Sequence, residues 1–227
     1  MNLDFDVISR SMPYLWQGFQ YTVELTCVAA VGGLIFGTLL ALMRLSSNVV
    51  VSGIASAYVN LMRSVPLILV LFWFFFLMPQ VIQLITGAER PPPIGAERTA
   101  LITFVMFQAA YYCEIMRAGI QSIPRGQVYS AYALGLKYSQ AMWLVILPQA
   151  FRNMIPVLLT QTIILFQDTS LVYVISGTDF TGAASKIAQR DGRLVEMYLF
   201  VALVYFVLCY ALSYFVKRLQ TKIAVIR

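Results

Sequence analysis

The chain has 227 residues, 60% hydrophobic and 11% charged, with a mean hydropathy of +0.77, against about 45–50% apolar and about 25% charged in an ordinary soluble domain; a soluble single domain is excluded. Its 16 Lys and Arg outnumber 10 Asp and Glu, but the cations stand singly between apolar runs, a pattern of membrane edges and not of a nucleic-acid surface. Histidine is absent, which removes a His general base, a His metal ligand and a haem axial His, and with them many membrane enzymes.

In chain order, Met1–Val7 is acidic where a signal peptide is basic, so no cleaved leader is expected. Five apolar runs of helix length follow: Gly18–Met43, Val65–Ile85, Thr99–Met116, Ile155–Val174 and Leu194–Val216. The fold class is therefore all-α and polytopic, with five transmembrane helices in one domain, 1–227. An amphipathic stretch, Val51–Met62, is expected to extend the second helix toward the membrane surface, with Pro66 as a kink. Phe72, Trp73, Phe74, Phe75 and Phe76 are consecutive and so surround the helix, which suits lipid contact and packing; Tyr14 and Trp16 read as interfacial anchors. Cys27, Cys113 and Cys209 lie inside apolar runs without CxxC spacing and read as packing residues; no metal site is expected.

Five spans put the ends of the chain on opposite sides, and the Lys and Arg bias orients them. With the N-terminus outside, the inner side collects Arg44, Arg63, Arg117, Arg125, Lys137, Arg152, Lys217, Arg218, Lys222 and Arg227, whereas the outer side collects Arg10, Arg90, Arg98, Lys186, Arg190 and Arg193 among most of the acids. The N-terminus is expected outside and the C-terminus inside. Two outer connections result: Glu89–Glu97, held extended by Pro91, Pro92 and Pro93, and the polar segment Gly177–Arg193, read as plain connection. The chain shows no repeat relating its first two spans to its last two, so an inverted-repeat plan has no support.

The inner segment 118–154 reads as structured, with two short helices. One starts at Ile123 and Pro124 and stops at Gly135 in a left-handed turn; the other is capped by Ser139 and runs through Met142, Trp143 and Ile146 to Pro148. Small residues let a partner surface approach the first helix, and Tyr129, Tyr132 and Leu136 can fill a pocket. The segment reads as a docking site.

Ser130, Ala131, Gly135, then nine residues, then Val145, Ile146, Leu147 and Pro148 resemble the cytoplasmic EAA loop of ATP-binding-cassette importer permeases, with Tyr129 in place of the family's Glu and Ser130 in place of its first Ala. The stretches YVNLMRSVPLILVL from Tyr58, AAYYCEIMRAGIQSIPRGQ from Ala109, ILPQAFRNMIP from Ile146 and QTIILFQDTSLVYV from Gln161 extend the resemblance over nearly the whole chain. They are similar to the polar amino-acid branch, and within it to the glutamate/aspartate permeases of Gram-negative bacteria. The resemblance implies the bacterial inner membrane, a second permease that is a paralogue, two cytoplasmic ATPases that hold ATP and Mg, and a periplasmic amino-acid-binding protein. It also implies ATPase coupling through Gln127, Tyr129, Ser130, Ala131, Gly135, Leu147 and Pro148. This chain has no Walker A pattern, so it needs no cofactor of its own and is not expected to be an enzyme.

An ionisable group inside a span costs several kcal/mol unless paired or facing water. Glu24, Asn60, Gln161, Asp168, Thr169 and Ser170 are therefore substrate-path candidates, Gln161 and Asp168 sharing a helix face seven residues apart; an interhelical hydrogen-bond seam explains that face equally well. Glu24 and Asp168 stand at similar depth and are expected to approach. Glu114, Arg117 and Arg63 read as an ion pair or inner gate. An ion-coupled secondary transporter or channel would explain the spans and acids too, but leaves the Gly135 to Pro148 spacing without purpose; a membrane enzyme lacks clustered catalytic groups. The residues alone do not choose the amino acid.

Overall fold

A computed structural model describes residues 4–223; Arg227, counted above with the inner cations, and residues 1–3 of the acidic N-terminus lie outside them. The described residues form ten α-helices: α1 (Asp6–Arg44), α2 (Val49–Ser64), α3 (Leu67–Phe72), α4 (Met78–Thr86), α5 (Ala96–Gln121), α6 (Arg125–Ala133), α7 (Tyr138–Ala141), α8 (Leu147–Asp168), α9 (Phe180–Asp191) and α10 (Leu194–Ile223). Wider π-turns join α3 to α4 (Trp73–Leu77) and α7 to α8 (Met142–Ile146), and a 3₁₀ turn (Thr169–Ile175) follows α8. Five continuous stretches are long and apolar enough to cross a membrane, at Asp6–Arg44, Leu67–Thr86, Ala96–Gln121, Tyr138–Ile175 and Leu194–Lys222. A helix satisfies its own backbone polar groups, which is what hydrocarbon demands.

The number of spans agrees with the sequence reading, but several boundaries do not. Helix α1 begins twelve residues before the apolar run, because Ser9, Arg10 and Ser11 interrupt the hydropathy without interrupting the helix. The stretch before span two is a helix of its own. Val65 (φ −115°, ψ 136°) and Pro66 (ψ 137°) are extended, so the chain breaks there where a kink was expected; the proline ring disfavours helical backbone in the residue before it. Asn48 starts α2 by accepting from the backbone N–H of Val50 and Val51.

The second inner helix and span four are likewise one continuous element, Tyr138–Ile175. Lys137, not Ser139, stands at its start, where the Gln140 side chain accepts from the Lys137 N–H. Pro148 falls in the first turn of α8, where its missing N–H does little harm after the π-turn, so it does not end the helix. Cys113 and Cys209 are buried as expected, but Cys27 is exposed on α1.

The largest correction is Gly177–Arg193. It holds α9, whose Ala183, Ala184, Ser185, Ile187 and Ala188 are buried against α1 and α10. Small side chains let α9 nest between two spans, and their low hydropathy hides the helix from an apolar scan. The triple-proline connection, by contrast, carries no helix between Gly87 and Gly95.

The deepest packing joins α1 to α5. Ala29, Gly33, Gly37 and Ala41, four residues apart and buried, present α5 with a flat stripe that permits close backbone approach. A Cβ at Gly37 would lie 2.9 Å from the Ala109 carbonyl oxygen and 3.1 Å from the Cys113 nitrogen. Neither atom can move without moving α5. Gly37→Val is therefore expected to destabilise the chain by about 2–3 kcal/mol through overpacking, read as a lower thermal-unfolding midpoint in detergent; an unchanged midpoint would refute this seam.

Candidate functional site

Pro124 (φ −58°, ψ 136°) turns the chain into α6, which ends at Leu134 with Gly135 left-handed at φ +79°. Leu136 donates to the Ala131 carbonyl at 3.1 Å and Gly135 to the Tyr132 carbonyl at 2.9 Å, the paired bonds of a Schellman stop. Ala131 is buried, and α6 packs against the Met142–Ile146 π-turn, which Leu147 and Pro148 follow directly in the chain. The opposite face is open: Tyr129 is 63% exposed and Leu134 81%, with Gln127 and Ser130 exposed and Tyr132, Tyr138, Trp143 and Leu144 adding apolar surface.

At the same end of the spans, Glu114 on α5 is enclosed by three guanidinium groups. Arg117 one turn on donates to one carboxylate oxygen and Arg44 from the last turn of α1 to the other. Arg63 of α2 stands 3.8 Å away and lies over the Tyr111 ring at 5.5 Å. Arg117 also donates to Gln121 at 2.7 Å. One carboxylate thus ties α1, α2 and α5 together. Spacing pointed to Arg117 and matched depth to Arg63, but the sequence reading missed Arg44; the signal was a lone arginine closing the last turn of span one, where a cation also meets the helix dipole.

A cavity of about 410 Å³ opens beside this cluster, lined by Arg63, Tyr111, Glu114, Ser122, Asn153 and Gln161 among others. Asn153 donates to the Ser122 hydroxyl at 3.0 Å across the entry to α6. Gln161 therefore shares this cavity with the ion cluster, and Asp168 lies two turns, about 10 Å, further along the same helix, half-buried. Thr169 is buried and donates to the Phe166 carbonyl at 2.7 Å, so its hydroxyl is turned inward, and Ser170 is half-buried beside it. The interhelical bond of this region is made elsewhere, between Thr162 and Tyr112 at 2.6 Å. Asn60 and Glu24 are exposed. Among the described residues no hydrogen bond or ion pair involves Glu24 or the Asp168 carboxylate, so the structure does not join the two acids.

Residues 33–225 match the family model described as the binding-protein-dependent transport system inner membrane component. The chain belongs to this family. Among individual proteins, the glutamate/aspartate import permease protein GltK of Escherichia coli is 51% identical over 221 residues, covering 97% of this chain and 98% of that one. GltJ, the second Escherichia coli protein described as a glutamate/aspartate import permease, is 31% identical over 85% of this chain and 80% of its own length. A crystal structure of an amino acid ABC transporter with histidines superposes with a TM-score of 0.88 at 30% identity, covering 98% of this chain and 100% of that one. The chain is thus a multi-span permease of the inner membrane.

Proposed function

We propose that the chain is one permease half of an ATP-driven importer of glutamate and aspartate, paired with a paralogous permease, driven by two cytoplasmic ATPases and fed by a periplasmic binding protein. The 51% identity with GltK, spread over nearly the full length of both chains, carries the reading; the existence of GltJ as a second permease of the same description supports a heterodimer. ATP and Mg belong to the ATPase, which meets Gln127, Tyr129, Ser130, Ala131, Gly135, Leu147 and Pro148. The N-terminus is outside, the orientation that the loop charges favour, so α6 is cytoplasmic and α9 faces outward. The spans at Leu67–Thr86 and Leu194–Lys222 are only 11% buried over their most apolar windows, which leaves wide faces for a second permease and lipid.

In this reading ATP binding draws the two α6 helices together, and the continuous element Tyr138–Ile175 passes the movement to Gln161 and Asp168. Arg63, Arg117 and Glu114 form the inner gate, and Glu24, Asn60, Gln161, Asp168, Thr169 and Ser170 are the substrate-path candidates. The test is uptake: a strain lacking the chain loses import of labelled glutamate and aspartate and keeps that of arginine and glutamine. The reverse pattern would overturn the substrate, and retention of all four would overturn the function.

A further inference from the structure

Of the three guanidinium groups around Glu114, two hold the carboxylate and one does not. Arg117 and Arg44 donate to its two oxygens, one each. Arg63 stands 3.8 Å from the oxygen that Arg44 already holds, beyond hydrogen-bond reach. The Tyr111 ring supports it at 5.5 Å, and its side chain is partly exposed to the cavity that it lines. A guanidinium has five N–H donors in a fixed fork, so Arg63 has donors to give.

Three cations against one anion leave the cluster with two positive charges in excess, and no other acid lines the cavity beside it. At a membrane span such a charge needs a counter-charge or water, and an incoming anion supplies the former. The backbone agrees with this. Arg63 lies in the last turn of α2, just before the extended residues Val65 and Pro66, and interrupted helices are where membrane transport sites are typically built.

The cavity, about 410 Å³, has the size of a small-molecule site. Besides Arg63 its wall carries the side chains of Tyr111, Asn153 and Gln161 and the apolar groups of Ile115 and Val157. Amide and phenol oxygens accept from an ammonium group, and the apolar wall suits methylenes. An amino acid offers an ammonium, a carboxylate and a short chain, which is the set these walls match.

We propose that Arg63 binds a carboxylate of the transported amino acid and is the specificity-determining residue of a binding site inside this subunit. The proposal rests on the importer reading above and gives one residue of the gate a second task. Guanidinium and carboxylate meet through two parallel N–H···O bonds, while Arg44 and Arg117 stay with Glu114. An acidic amino acid reduces the surplus charge and a cationic one adds to it, so the cavity rejects the latter by repulsion.

The experiment measures binding of labelled glutamate to the assembled transporter in nanodiscs, without binding protein, for the native chain, Arg63→Gln and Arg63→Lys. Loss of the charged hydrogen bonds is expected to weaken binding about 10- to 100-fold in Arg63→Gln. Arg63→Lys should fall between, since lysine keeps the charge but not the fork. The unfolding midpoint without ligand should move little in either variant, which separates a binding role from a structural one. Unlabelled glutamine and γ-aminobutyrate, as competitors, tell the two carboxylates apart: the one whose affinity falls in Arg63→Gln carries the carboxylate that Arg63 holds.

Equal glutamate affinity in the native chain and Arg63→Gln overturns the proposal, and so does a native assembly that binds no amino acid; uptake by cells tests the importer reading separately. If the native assembly binds glutamine or arginine in place of glutamate, the substrate reading fails. Arg63 then stands as a carboxylate site if Arg63→Gln weakens that binding by the same factor, and falls if it does not. If neither variant assembles, Arg63 is structural and the proposal fails.

Discussion

Replacing Gly135 with valine is expected to leave the chain inserted in the membrane while cutting uptake about 5- to 30-fold. The position is left-handed at φ +79°, and a Cβ there would touch nothing within 4 Å, so the penalty is one of backbone alone. An L-residue with a side chain pays about 1–2 kcal/mol in that conformation, which depopulates the Schellman stop by about 5- to 30-fold. Without the stop, Leu136 no longer reaches the Ala131 carbonyl and the exposed Tyr129, Tyr132 and Leu134 face is re-aimed. Purification with the cytoplasmic ATPase should weaken in parallel. Gly135→Asn, which tolerates the left-handed region, should keep most of the activity, and equal losses for asparagine and valine would show that size, not conformation, matters there.

Neutralising Glu114 should have the larger effect on stability. The carboxylate accepts from Arg44 and Arg117 while Arg63 stands at 3.8 Å, so Glu114→Gln leaves three guanidinium groups facing one another with no anion. Breaking a largely buried pair from one side costs about 3 kcal/mol, which for a chain of this size lowers the unfolding midpoint by about 6–12 °C. Arg63→Gln should cost under about 1 kcal/mol, because that arginine is 39% exposed, is not within hydrogen-bond distance and keeps its water. Thermal unfolding of the two variants side by side checks the ranking, and similar losses would mean that Arg63 holds the cluster as firmly as Arg44.

The two tests probe parts of the fold that differed in how far they could be foreseen. Gly135 was legible because the left-handed stop is a local event, written in the glycine and in the helix-forming residues before it. Glu114 and Arg117 were legible for the same reason, three residues apart on one helix. Arg44 was not, since it meets Glu114 from seventy positions away and nothing in its own neighbourhood names the partner. The expected meeting of Glu24 and Asp168 rested on matched depth in two spans. Depth fixes height in the bilayer but not the rotation of each helix, and rotation leaves Glu24 exposed on α1.

Helix α9 shows the same division from the other side. Its capping residue Asp179 and its stop Gly192 are ordinary local signals, yet a sequence of Gly, Ala, Ser and Thr between two apolar runs reads as connection, because hydropathy measures transfer to lipid and not fit against another helix. The stripe of Ala29, Gly33, Gly37 and Ala41 was present at four-residue spacing all along; its meaning depends on which helix lies opposite.

By itself, then, the amino-acid sequence determined the membrane, the five spans, the short helix α6 and its glycine stop, and through its motifs the family, since each depends on local hydropathy, backbone preference or spacing along one segment. The tertiary structure alone decided that α1 seats on α5, that Arg44 completes the Glu114 cluster and that α9 is an inserted helix with a buried carboxylate at its head. These depend on the rotation and approach of helices far apart in the chain, where close packing of small residues and the pairing of buried charge select one arrangement from many that hydropathy leaves equal.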